Sequence, residues 1–157
     1  MNKILSLFKK ETAVSPKLMC WFEIPVYDFK RGLHFYSNVF RHIEFNITEF
    51  NGMPHAIFKP TNSPKDFTMS GALVQYEKKP ENGHSSILFF DANLGMGDML
   101  KRIESYGGVI LKNKSLIKNK EEDGRTVIPQ NLIDGKVGYY AYFLDSEGNK
   151  MGLYSNG

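Results

Sequence analysis

Residues 19–26 alternate in character, with Cys20, Phe22, Ile24 and Val26 in one series and Trp21 and Glu23 in the other. That period of two is the mark of a strand with one buried face. Asp28 follows as an N-cap. Phe29, Leu33, Tyr36 and Phe40 then recur at helical spacing and make one apolar face, which is expected to lie on the even-numbered side of the strand. Extended stretches at 42–48, 54–59 and 69–77 complete the run, with Asn51-Gly52 as a tight hairpin and the Pro-, Asn- and Ser-containing segment 60–66 as a loop. The same order then recurs. Residues 85–90 read as a strand, and Met96, Met99, Leu100, Ile103 and Tyr106 mark a helix that Gly107-Gly108 closes. Strands at 109–117, 139–144 and 150–155 follow, the last two as a hairpin about 145–149.

The chain is therefore written twice. Module one is placed at 19–79 and module two at 84–157, joined by Pro80-Glu81-Asn82-Gly83. Neither copy buries its apolar sheet face alone, so the two are expected to pair. The predicted fold class is α+β, with two paired βαβββ modules whose curved mixed sheets form a cleft. Residues 1–18 form an N-terminal extension, in which Ile4, Leu5, Leu7 and Phe8 could make one face of a short helix. Residues 118–136 are longer than a hairpin requires, and read either as a lid over the cleft mouth or as a surface insertion.

Composition narrows the classes of function. The net charge of +3 comes from 20 basic and 17 acidic side chains, which gives no electrostatic case for a nucleic acid partner. The apolar stretch near the start is too short for a secretory or membrane-spanning segment. The single cysteine, Cys20, excludes an internal disulfide framework and a cysteine-rich zinc site, and suits a small buried hydrophobe in a reducing cytoplasm. No dinucleotide loop, phosphate-binding lysine motif or nucleophile elbow is present.

Three separated segments, "WFEIPVYDFKRGLHFYSNVF", "GALVQY" and "YYAYFLDSEGNKMGLYS", resemble the vicinal oxygen chelate superfamily of glyoxalase I, extradiol dioxygenases and bleomycin-resistance proteins. The resemblance covers residues 19–155 and implies paired βαβββ modules around a U-shaped cleft, commonly in a homodimer. Metal-dependent members draw one ligand from the first and one from the last strand of each module, and these are His, Glu or Gln. The matching positions here are Trp21, Gln75, Ser85 and Gly152. A single weak ligand among four does not hold a catalytic metal, so no cofactor is expected. The alternative is a divalent ion at a displaced site built from Glu23, Gln75 and His84.

Glu23 is the candidate catalytic residue. On the cleft side of a central strand, among apolar neighbours, it could act as a base or anchor a hydroxyl or cationic group. The competing reading is a carboxylate held by a neighbouring strand's hydroxyl or by Lys150. Trp21, Tyr140 and Tyr142 are expected as flat walls for a small organic ligand, with Gln75 and Ser85 as polar fixtures and bare Gly152 beside them. Each tyrosine taken singly also reads as strand packing. The functional expectation is a cytoplasmic, homodimeric, glyoxalase-like protein that binds a small molecule without a metal. Two alternatives stay open: a metal-dependent lyase, isomerase or dioxygenase of the same fold, and a resistance protein that sequesters an antibiotic or toxin.

Overall fold

The computed structural model describes residues 21–50, 52–60, 70–78, 86–120, 123–128 and 135–157. The expectations for residues 1–18, Cys20, Asn51, the 80–83 linker, His84 and Ser85 lie outside these residues.

The first module runs β1 (Trp21–Val26), α1 (Phe29–Val39), β2 (Ile43–Phe50), β3 (Met53–Pro60) and β4 (Ser70–Gln75). Its sheet has the order β1-β4-β3-β2, in which β1 and β4 are parallel and the other pairs antiparallel. The second module runs β5 (Phe89–Asp91), α2 (Met96–Ser105), β6 (Val109–Leu116), β9 (Tyr139–Leu144) and β10 (Lys150–Ser155), in the sheet order β5-β10-β9-β6. A small hairpin of β7 (Asn119–Lys120) and β8 (Thr126–Val127) stands within the insertion. The duplicated pattern is thus realised strand for strand. The expected strand at 85–90 shortens to β5, because it forms only where the backbone meets Gly152–Tyr154 of β10.

Asp28 caps α1 as expected, its carboxylate accepting from the Arg31 amide at 3.0 Å. The helix buries Gly32, Phe35, Tyr36 and Val39, with Phe40 just beyond, while Phe29 and Leu33 reach the margin of the core. Gly32 is required there: a Cβ would press on the Val26 side chain from 2.6 Å, so α1 can lie close on the even-numbered face of β1. Helix α2 buries Met96, Met99, Leu100 and Ile103. It ends in a turn where the Gly108 amide returns to the Ile103 carbonyl at 2.8 Å, with Gly107 at φ 94°.

Residues from both modules make one continuous core. Phe40 packs on Phe90 with ring centroids 4.5 Å apart, and Phe35 meets Phe143 at 6.3 Å. Arg102 of α2 donates through Nε to the Val39 carbonyl at 3.0 Å, satisfying a free carbonyl at the end of α1.

The β9–β10 turn clasps the modules together. Glu147 is buried, and its Oε2 accepts from the Tyr27 and Asp28 amides at 2.8 and 3.0 Å, directly at the start of α1. Arg31 adds two further hydrogen bonds to that carboxylate, at 2.7 and 3.0 Å. Buried Asp145 accepts from the Tyr36 hydroxyl at 2.8 Å, and Asn149 donates to the Pro25 carbonyl at 2.8 Å. The resemblance covered this turn as sequence, but nothing in the pattern of residues indicated that its acids would seize the other module. No described helix is long and apolar enough to cross a membrane.

Candidate functional site

Strand parity sorts the candidates. Ile24, Val26 and Leu73 face the helices, so Trp21 and Glu23 of β1 face the other way with Ala72 and Val74 of β4. His55 pairs with Val74 and shares that face; its Nδ1 lies 2.8 Å from the Met53 carbonyl. In the second module Met151, Leu153, Ala141 and Phe143 face the helices. The opposite face carries Phe89, Tyr140, Tyr142, Tyr154, Lys150 and Gly152.

Gln75 is not where the sequence reading put it. Its Cα pairs with Val26, which places it on the helix side, and its side-chain amide donates to the Tyr27 carbonyl at 3.4 Å. Aligning the segment one residue out of step exchanges the two faces of a strand. Trp21 and Glu23 therefore share a face without Gln75, and the displaced trio with His84 loses this member.

Glu23 is exposed rather than buried among apolar groups, although apolar side chains share its groove. One carboxylate oxygen accepts from the Trp21 indole at 3.2 Å and the other from the Tyr76 hydroxyl at 3.1 Å. This is the neighbouring-hydroxyl arrangement. Partial burial, and then the bond to Glu23, raise the Tyr76 pKa. Glu23 and Lys150 both line a groove of about 350 Å³ between the modules, with Phe22, Pro25, Leu88 and Met151.

The larger hollow, about 750 Å³, lies on the open face of the second module. Phe89, Tyr140, Tyr142 and Tyr154 supply its aromatic surface, and β6 and its extension supply Lys112, Ser115 and Lys118. The Phe89 and Tyr142 rings meet edge to face at 5.6 Å, and Tyr140 meets Tyr142 in the same manner at 5.4 Å. Gly152 is the hinge of this arrangement. A Cβ at that position would press on the Phe89 ring at its Cδ1, with Cε1 2.5 Å and Cγ 2.8 Å away. The structure thus brings together Tyr140, Tyr142 and Gly152, while Trp21 and Glu23 stand apart on the first module.

Sequence reasoning missed Phe89, Tyr154, Lys112 and Lys118 as lining residues. Alternation along the strand gave no signal for the lysines, because the register of β6 against β9 shifts between Lys112 and Ser115. Lys112 Nζ stands 5.3 Å from the Tyr140 ring centroid, and Lys150 Nζ stands 4.9 Å from that of Tyr142.

Of the four positions that the resemblance matched to metal ligands, the three described ones do not converge on a cation. Trp21 offers an indole that only donates, Gly152 offers no side chain and is covered by Phe89, and Gln75 faces away. No group of three His, Cys, Asp or Glu among the described residues is arranged to hold a metal.

No family model matches the chain, and no curated protein matches it in sequence. Solved structures do. Glyoxalase I from Zea mays, as its V278E mutant, superposes with a TM-score of 0.60 at 16% identity, over 87% of this chain and 45% of that longer one. The fosfomycin resistance protein FosX from Listeria monocytogenes, complexed with Mn(II) and sulfate, gives 0.55 at 12% identity, over 92% and 95%. A glyoxalase/bleomycin resistance protein from Albidiferax ferrireducens gives 0.53 at 15%, over 88% and 99%. The chain has the vicinal oxygen chelate fold.

Proposed function

We propose that this protein binds a small organic molecule non-covalently, without a metal, in the hollow over Phe89, Tyr140, Tyr142 and Tyr154. One observation carries the reading. Where metal-dependent enzymes of the fold carry their last ligand, this chain has Gly152, and the space goes to the Phe89 ring, which completes an aromatic lining. A hollow of about 750 Å³ suits a ligand of drug-like size. Glu23 enters as a wall of the neighbouring groove, held by Trp21 and Tyr76, rather than as a base. A sequestering protein of the bleomycin-resistance kind needs such a hollow and no catalytic group.

The test is a ligand-observed NMR screen of small aromatic compounds, run with and without EDTA. Hits should persist in EDTA and disappear in the Tyr140→Ala/Tyr142→Ala variant. Hits that vanish on chelation and return with added Mn²⁺ would overturn the reading.

A further inference from the structure

The lining of the hollow has a sign. Lys112 and Lys118 line it directly, and Lys150 stands over the ring of its Tyr142 wall. None of these three lysines forms an ion pair among the described residues, and among those residues no acidic side chain lines the hollow. Glu23 shares only the smaller groove with Lys150 and commits its two oxygens to Trp21 and Tyr76. The cation–π contacts hold the ammonium groups of Lys112 and Lys150 at the aromatic wall, but ring faces do not neutralise them.

We infer that the ligand is a small organic anion with a flat unsaturated or aromatic part. Its planar portion would lie against the tyrosine and phenylalanine rings. Its carboxylate or phosphonate would take the ammonium groups in place of the missing acidic partners. This inference rests on the proposed role of the hollow, and concerns the charge of what it holds.

The experiment compares three probes of one shape: 2-naphthoate, 2-naphthamide and 2-naphthylmethylammonium. Affinities are read from chemical-shift changes of Tyr140 and Tyr142. The carboxylate should bind about ten- to a hundredfold tighter than the amide at low salt, with the ammonium compound weakest. That advantage should shrink sharply in about 0.5 M salt. It should also shrink in the Lys112→Met/Lys150→Met variant, which keeps the apolar stems. Equal binding of acid and amide, or preference for the ammonium compound, would overturn the inference while leaving the hollow a binding site. Failure of all three probes to shift either tyrosine at millimolar concentration would overturn both.

Discussion

Replacing Glu147 with alanine removes one side chain that the two modules share. Its carboxylate is buried and accepts five hydrogen bonds, two from the Tyr27 and Asp28 amides, two from Arg31 and a longer one, at 3.4 Å, from the Ser146 hydroxyl. The Arg31 side chain is 54% exposed and returns to water when its partner goes, so it contributes little to the loss. The two amides are different. They belong to the start of α1, where no intrahelical acceptor exists, and an unsatisfied backbone donor costs about 1–3 kcal/mol. Both lie near the surface, so water can reach them in part and the lower half of that range applies. The expected destabilisation is about 2–4 kcal/mol, read by urea unfolding at neutral pH. Arg31→Met should cost less than Glu147→Ala. Burial pushes the Glu147 pKa up, but the hydrogen bonds from Arg31, Asp28 and Tyr27 outweigh it and leave the value lowered. A lowered carboxylate pKa gives stability that is present above the unfolded-state value and lost as pH falls through the folded one. The variant should therefore lose less stability than the parent chain as pH falls through the carboxylate range. A loss under about 0.5 kcal/mol, or Arg31→Met costing as much as Glu147→Ala, would refute this account of the clasp.

Two further outcomes follow from neighbouring contacts. Tyr36→Phe leaves buried Asp145 short of one donor; it should cost about 1–3 kcal/mol in the same unfolding measurement, whereas a cost near zero would mean that water replaces the hydroxyl. Gly152→Ala forces the Phe89 ring off the sheet; it should lower stability by about 1–3 kcal/mol in thermal melts and weaken ligand binding, whereas unchanged binding would show that Phe89 does not shape the hollow.

Strand and helix placement was legible because apolar spacing dictates it. The two strands of the last hairpin, Tyr139–Leu144 and Lys150–Ser155, fall where the alternation placed them. Helix α1 was legible through its cap and its apolar face, although Phe35 and Val39 carry more of the burial than Phe29 and Leu33. The site was less legible. Gln75 was misplaced because the short apolar run of β4 is buried on both faces, with Ala72, Leu73 and Val74 all inaccessible. Such a run shows no alternation from which to fix a register. Asp145 and Glu147 resembled ordinary turn residues, since long-range partners leave no trace in local spacing. Burial raises the Asp145 pKa despite hydrogen bonds from Asn149, Tyr36 and the Glu147 amide, and only the folded structure shows that burial.

The contact between Phe89 and Gly152 has a consequence for how this chain could change. Installing a carboxylate at position 152, as a step toward a cation-binding enzyme, collides with a ring that already occupies the space. Removing the ring first forfeits its edge-to-face contact with Tyr142. Either single step is a setback, so the two substitutions must arrive together, and this pairing works as a ratchet against reversal.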